Sequence, residues 1–513
     1  MSSTAASDTP AAATPRRRRL TAPTDNAPKS RGVVLAVILI CQLMVVLDGT
    51  VVNIALPSIK TSLGFSSESL SWVLNAYTLA FGGMLLLGAR AGDLLGRRPV
   101  FLFGIVLFTL GSLAGGLAQS SGELLAARAA QGVGGAFASP TALALIMVMW
   151  PDAKERMRPI GAYTAVSVGG SAVGLVLGGM ITQWADWRWV FFVNVPVGVV
   201  LVALALPTLP KAVRRRGRFD LVGALSSVAG ITALVYGFVH AASNGWGNAQ
   251  TVGSFAIGAA LLALFVVTET RAAEPITPLR LFRNRNRVGA YTCRLLLLAS
   301  MMGMFFFLTQ YLQNVLHYSA LRTGFAFVPM TLGTFLSAQL CVRYLQQRVS
   351  LKSIMVSGTV LSTVGIFMLT FINPDTSYVY LVISVVIFGF GNGLAFTSMT
   401  SYAIDDVLPE DAGAASGLVN VMQQVGGALG LAVLVTIFGT ASSHAAQHPA
   451  AGASPAEIAT QTFIHGAKAA FIASTVVMIA AIIATVVLIR GEKSDRVEQP
   501  EADLELDQLF ENV

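Results

Sequence analysis

Apolar residues along the chain are grouped into fourteen long runs, separated by short polar, charged or proline-containing segments. A window of about 19 residues is the length that crosses a bilayer as a helix, so each run predicts one membrane span. The approximate limits are 33–56, 69–88, 99–118, 122–149, 160–182, 189–209, 220–242, 251–269, 288–315, 322–343, 352–372, 378–400, 412–440 and 467–490. No run shows the apolar–polar alternation of barrel strands, so we predict an all-α integral membrane protein with fourteen transmembrane helices.

The composition indicates a lipid rather than an aqueous environment. Of the 513 residues, 54% are hydrophobic and 12% are charged, whereas soluble domains carry about 25% charged residues. An ordinary water-soluble enzyme is therefore excluded, and no loop is long enough to fold as a catalytic domain. The sequence has no Gly-x-x-x-x-Gly-Lys-Ser/Thr motif, which excludes a fused ATPase of that type. We expect no cofactor and no metal site.

The positions of the basic residues indicate the orientation of the chain. The 34 Lys and Arg give a net charge of +8 and cluster in both terminal segments and in every second loop. The other loops hold only Lys60, Arg188, Arg322 and Lys468. Because cytoplasmic loops carry the excess of Lys and Arg, we predict that both termini are cytoplasmic. Residues 1–32 and 491–513 are predicted as tails, the first basic and disordered. The charge is not arranged along one face, so no nucleic-acid partner is expected.

Asp48 is the only carboxylate well inside an apolar run. A charged group at the bilayer centre costs about 2.5–3.5 kcal/mol on insertion scales, so such a group usually faces a cavity and has a function. Poor solvent also favours the neutral form of a carboxyl group, so we predict a proton carrier. The alternative, compatible with this one, is a structural acid paired with Arg128, which lies at a similar depth.

Two arginines fall inside the apolar runs, and snorkelling to a membrane surface is an alternative for each. For Arg128 pairing with the acid is favoured over snorkelling to the outer surface. Arg294 has no acid near it in the sequence, and it is predicted to snorkel to the cytoplasmic surface.

The loop Gly88–Arg98, after the second run, combines Asp93 with three arginines. A salt bridge at this mouth of the protein could form in one conformation and break in another. A basic membrane anchor with one incidental acid is an equally good interpretation of the spacing.

Glycines recur at every fourth position in the fifth and thirteenth runs. The fifth contains Gly170, Gly174, Gly178 and Gly179, and the thirteenth contains Gly413, Gly417, Gly426 and Gly430. Small residues at this spacing let helix backbones approach closely, either to slide or to pack statically.

Four stretches together resemble the major facilitator superfamily, and within it the fourteen-span drug:proton antiporters. They are Leu47–Pro57 in the first run, the Gly88–Arg98 loop, Arg128–Ala136 in the fourth run and the Trp187–Pro196 connection. The resemblance covers about residues 33–490.

The resemblance implies roles for particular residues. It implies proton coupling for Asp48 and Arg128. It implies a gating latch made by Asp93, Gly96, Arg97 and Arg98. Helix packing or cavity lining is expected for Asn53, Pro57, Gln131, Gly132, Gly134, Gly170, Gly174, Gly178 and Gly179. Two positions depart from the family pattern, Ala89 where glycine is usual and Leu175 where proline is expected. The second departure leaves the antiporter motif incomplete.

The resemblance also implies an architecture. Two six-helix bundles, residues 33–210 and 288–490, would flank an inserted helix pair and a basic linker within 211–287. Inverted repeats and a binding site near the membrane midplane would follow.

We therefore expect a proton-coupled exporter of small amphipathic organic compounds, such as drugs, antibiotics or a secondary metabolite, that works by alternating access in the cell membrane. Its partners would be the substrate, protons and the lipid bilayer, and it would act as a monomer. Proton-coupled uptake of a nutrient or siderophore is the alternative. A membrane sensor or a membrane-embedded enzyme is disfavoured, because the sequence has no sizeable soluble domain and no nucleophile–base or metal constellation.

Overall fold

The part of the chain that the structure describes contains fourteen helices long and apolar enough to cross a membrane. The computed structural model describes residues 31–150, 152–210, 220–272, 275, 277, 279–405, 407, 412–448 and 454–490. The spans, numbered 1 to 14 in chain order, are Arg31–Leu63, Trp72–Leu95, Arg97–Leu117, Ser121–Met149, Ala153–Trp184, Trp189–Thr208, Leu221–Asn244, Ala249–Arg271, Arg285–Val315, Ala320–Leu345, Leu351–Phe371, Tyr378–Ile404, Ala412–Gln447 and Pro455–Leu488. The described residues contain no strand, and the predicted all-α membrane fold is confirmed. Nearly all of both predicted tails lies outside the described residues.

Several helices are longer than the apolar runs that predicted them, among them spans 1 and 14. Span 1 continues through Pro57 to Leu63, because membrane helices tolerate a proline when neighbours satisfy the freed backbone groups. Span 14 begins at Pro455, about twelve residues before the predicted start. Ser454 and Glu457 form a capping box there, and such a cap fixes where a helix starts regardless of hydropathy.

The packing of spans 1–6 is repeated by spans 9–14. Span 1 packs on span 5, span 2 on span 4, and span 3 on spans 4 and 6. Eight spans later, span 9 packs on span 13, span 10 on span 12, and span 11 on spans 12 and 14. Two pairs join the two sets: span 2 packs on span 13, and span 5 packs on span 10.

Spans 7 and 8 lie over one of these two seams. Val235 of span 7 is buried in a cluster with Leu79 of span 2 and Ala432 of span 13. Span 8 contacts span 7 closely, since a Cβ added at Gly258 would lie 3.0 Å from the carbonyl oxygen of Gly230. Span 7 therefore covers the seam between spans 2 and 13, and span 8 packs on span 7.

The buried apolar side chains are distributed unevenly between the two ends of the molecule. We call the end where span 1 begins and span 14 ends the tail end, and the opposite one the far end. Toward the far end a single core contains residues from both sets of spans, such as Val51 and Phe307. Toward the tail end, spans 1–6 and spans 9–14 have separate cores. Among their partly buried neighbours, Leu86 and Val421 pack against the core of the opposite set.

Candidate functional site

Asp48 and Arg128 form an ion pair inside the protein. Nη1 of Arg128 donates to Oδ2 of Asp48 at 2.6 Å, and each residue is 1% exposed. Span 1 brings the acid and span 4 brings the base. The structure thus brings together the two charged residues that the sequence placed at a similar depth, and Arg128 does not snorkel.

Two amide side chains complete the surroundings of the carboxylate. Oδ1 of Asp48 accepts from Nε2 of Gln131 at 2.9 Å and from Nδ2 of Asn194 at 3.1 Å. Gln131 also donates to Oγ of Ser112 at 2.8 Å. The acid is therefore linked to spans 3, 4 and 6 at once. Asn194 was not predicted for this site; its only sequence signal was its place in the Trp187–Pro196 stretch.

The guanidinium of Arg128 has anchors that do not depend on Asp48. Nε donates to the carbonyl of Val73 at 3.0 Å, and Nη1 donates to Oε1 of Gln131 at 3.0 Å. The ring of Tyr77 lies 4.4 Å from the guanidinium carbon, a distance at which an aromatic face attracts a cation. Arg128 can therefore keep its position when the charge of Asp48 changes.

The carboxylate can accept a proton without losing its amide partners. An ionised carboxylate offers about four lone-pair sites. At Asp48, Oδ1 accepts two hydrogen bonds, and Oδ2 accepts one from Arg128. A proton added to Oδ2 would remove the negative charge that Arg128 faces, while both bonds to Oδ1 stay in place.

The residues predicted as a gating latch lie at the junction of spans 2 and 3. Gly96 has a φ of 99°, a conformation that favours glycine. Nη1 of Arg97 donates to the carbonyl of Ala144 in span 4 at 2.8 Å, and Arg98 donates to carbonyls at the end of span 6. Cations stabilise helix C-termini in this way. The side chain of Asp93 lies outside the described part of the structure.

The structure places four of the residues predicted for helix packing or cavity lining as follows. Asn53 donates to the carbonyl of Gly49 in its own helix at 2.9 Å, so the structure does not bring it to the carboxylate, and Pro57 lies further along the same helix. A Cβ at Gly132 would lie 2.5 Å from the carbonyl oxygen of Tyr77 in span 2. Gly134 has no room for a Cβ against span 3.

The glycines of span 5 face two different neighbours. Gly170, Gly174 and Gly178 all lie against span 1, and a Cβ at Gly178 would be 2.9 Å from Cα of Val51. A Cβ at Gly179 would be 2.6 Å from the carbonyl oxygen of Ala320 in span 10. Span 5 therefore contacts both span 1 and the opposite set of spans through glycine.

The prediction that Arg294 snorkels is wrong. Its side chain is buried, and Nη2 donates to Oε1 of Gln423 in span 13 at 3.0 Å. Counting residues along a helix gives depth but not the direction of a side chain, and Arg294 points into the protein instead of to the surface.

Comparison with known proteins agrees with this geometry. A family model described as Major Facilitator Superfamily matches residues 38–431. The chain is 42% identical over 462 residues to the puromycin resistance protein of Streptomyces alboniger, covering 88% of this chain and 90% of that one. It is 39% identical over 472 residues to the cephamycin export protein of Amycolatopsis lactamdurans, covering 91% and 94%.

A solved structure shows the same fold at low sequence identity. A bacterial homolog of the human lysosomal transporter Spinster, in an inward-facing and occupied conformation, superposes with a TM-score of 0.61 at 15% identity. The match covers 89% of this chain and 96% of that one. The chain belongs to the Major Facilitator Superfamily, and it is a multi-pass membrane transporter.

Proposed function

We propose that this transporter is a proton-coupled exporter of small amphipathic organic compounds, such as drugs or antibiotics. The observation that carries the proposal is the buried Asp48–Arg128 pair in a chain whose relatives are named for antibiotic resistance and export. Uptake of a nutrient or siderophore is the alternative, and the names of those relatives favour export.

In this mechanism the proton acts at Oδ2 of Asp48. Protonation removes the counter-charge of Arg128, which stays anchored to Val73, Gln131 and Tyr77. A buried pair that loses one charge becomes unfavourable by about 3–5 kcal/mol. The protonated state therefore favours a conformation in which water reaches Arg128 and the ion pair between spans 1 and 4 is broken. Loss of the proton restores the pair.

The available energy is enough for useful export. One proton crossing 100 mV releases about 2.3 kcal/mol, and a tenfold concentration ratio costs about 1.4 kcal/mol. One electrogenic proton therefore sustains a gradient of roughly fifty-fold, without ATP.

The closed far end supports alternating access. Nε2 of Gln313 in span 9 donates to the carbonyl of Ile54 in span 1 at 2.9 Å. The backbone N–H of Leu321 in span 10 donates to Oε1 of Gln183 in span 5 at 3.2 Å. Together with the shared core at this end and the separate cores at the tail end, these contacts describe a transporter closed at the far end.

We propose that both termini lie in the cytoplasm, so that the tail end faces the cytoplasm and the closed far end faces outward. The structure then corresponds to an inward-facing state. Spans 1–6 and 9–14 would move as two bundles, with spans 7 and 8 as an inserted pair, and the protein would act as a monomer. The Asp93–Arg97 loop would latch the tail end in the opposite state.

Transport into inside-out membrane vesicles with an acidic interior tests the proposal. We expect wild-type protein to drive uptake of at least one member of a panel of neutral, cationic and anionic compounds. Asp48→Asn should abolish this uptake. The matched control is the same substitution at an exposed acid, and Asp186→Asn should leave the uptake unchanged. Uptake unchanged in Asp48→Asn would reduce Asp48 to a structural role. Accumulation in intact cells instead of exclusion would favour the importer.

A further inference from the structure

Arg294 is a buried cation outside the Asp48 network. It lies in span 9, is 5% exposed, and its guanidinium carbon lies 3.0 Å from the centroid of the Phe396 ring in span 12. The bond from Nη2 to Gln423 in span 13 fixes the group from a third helix. The guanidinium is therefore held in one orientation by neutral neighbours.

Most of its hydrogen-bonding capacity is unused. Within the described residues, Nε and Nη1 of Arg294 are buried and have no acceptor. Arginine has five N–H donors and cannot be deprotonated in proteins, and a buried donor without a partner is costly. By contrast, the charges of Asp48 and Arg128 compensate each other. The uncompensated charge at Arg294 indicates that a group absent from the structure is bound there during function.

The surroundings of Arg294 lie near a contact between the two sets of spans. Its partner Gln423 is followed by Gln424, and the side chain of Gln424 lies where a Cβ of Gly82 in span 2 would be. This contact joins spans 2 and 13. Asn392, one helical turn from Phe396, adds a buried amide oxygen that has no partner in the described part of the chain.

These features define what fits the site. A guanidinium with free donors binds a carboxylate or another oxyanion strongly, and Phe396 offers an apolar face beside it. An unmatched positive charge also disfavours cationic compounds.

We propose that Arg294, Phe396 and Gln423 form a subsite that binds the anionic group, for example a carboxylate, of an amphipathic compound. This inference rests on the proposed export function and specifies its substrate class.

Binding to purified protein tests the subsite without requiring transport. The probes are dansyl-leucine, which carries a carboxylate, and its uncharged methyl ester, measured by energy transfer from tryptophan in phosphatidylcholine nanodiscs. We expect wild-type protein to bind the carboxylate at least about tenfold more tightly than the ester, as a charge-assisted hydrogen bond predicts. Arg294→Gln should remove this preference, and Arg294→Lys should keep part of it.

Arg322→Gln is the matched control. Arg322 also stacks on an aromatic ring, with its guanidinium carbon 3.7 Å from the centroid of Tyr318. It lies near the start of span 10, at the far end of the molecule and away from the subsite, so the preference for the carboxylate should persist in this variant. Failure of wild-type protein to bind the carboxylate, or an equal preference in wild type and Arg294→Gln, overturns the proposal. The Asp48→Asn transport result is independent of this binding result, so failure of the subsite and failure of export are distinguishable.

Two further measurements separate the remaining explanations. A structural role for Arg294 predicts that Arg294→Gln lowers the melting temperature of probe-free protein, whereas the proposal predicts an unchanged or higher one, because an unsatisfied charge is removed. The anion could also be a lipid headgroup instead of a transported compound. If phosphatidylglycerol in the nanodiscs competes with dansyl-leucine in wild type but not in Arg294→Gln, the subsite binds the lipid phosphate; if it does not compete, the subsite binds the soluble anion.

Discussion

Removing the charge of either Asp48 or Arg128 should destabilise the protein, and the costs of removing both should not add. In Asp48→Asn the new amide NH2 faces donors at either oxygen position, since Gln131 and Asn194 donate to Oδ1 and Arg128 donates to Oδ2. Arg128 would also keep its charge in a site that is 1% exposed. Breaking a buried pair from one side costs about 3–5 kcal/mol, and we expect this cost for Asp48→Asn and for Arg128→Gln.

The double variant Asp48→Asn/Arg128→Gln has no uncompensated charge at this site. Its free energy of unfolding should fall by less than the sum of the two single effects, with a coupling of about 0.5–3 kcal/mol. Equilibrium unfolding by SDS in mixed micelles, followed by tryptophan fluorescence, measures all four proteins. Gradient-driven transport should stay absent from the double variant, because the carboxyl group that carries the proton is still missing. Strictly additive costs, or single effects below about 1 kcal/mol, would refute the reasoning.

Three further predictions concern packing, turn geometry and movement. Gly178→Ala should lower the free energy of unfolding by about 1–3 kcal/mol, because its Cβ would lie 2.9 Å from the backbone of span 1. Gly169 lies in the same helix, and a Cβ there would meet nothing within 4 Å, so Gly169→Ala should be neutral or stabilising. Gly96→Ala should cost about 1–2 kcal/mol in the same unfolding assay, since its φ is 99° and residues with a Cβ are strained there; equal stability of the variant and wild type would contradict this. A cross-link between Gln183→Cys and Leu321→Cys should stop transport reversibly with reductant, because these positions meet at the closed far end; full transport by the cross-linked protein would show that this contact need not open.

The membrane fold could be predicted from the sequence because lipid imposes a strong constraint. A span must satisfy its backbone internally and must be apolar over about 20 residues, so hydropathy located all fourteen helices. Hydropathy did not locate the start of span 14, which depends on the capping of Ser454 and Glu457. It also carries no information on which helices pack together.

The candidate site was only partly predictable. Asp48 and Arg128 stood out because charges are rare within spans. Asn194 did not, because one amide in an apolar stretch changes hydropathy little, although it donates directly to the carboxylate. Arg294 was assigned to a membrane surface because sequence position fixes depth, whereas the packing of spans 12 and 13 fixes the direction of its side chain.

The position of spans 7 and 8 has a consequence for compounds dissolved in the bilayer. The two seams between the sets of spans, at spans 2 and 13 and at spans 5 and 10, are the two lateral gateways through which a lipid-soluble molecule could enter the protein directly from the bilayer. Span 7 contacts both span 2 and span 13, so one gateway is covered by protein. Among the described helices, none bridges the other gateway, between spans 5 and 10, in the same way. Amphipathic compounds arriving from the lipid phase would thus have a single lateral entry, between spans 5 and 10, where Gly179 packs against Ala320.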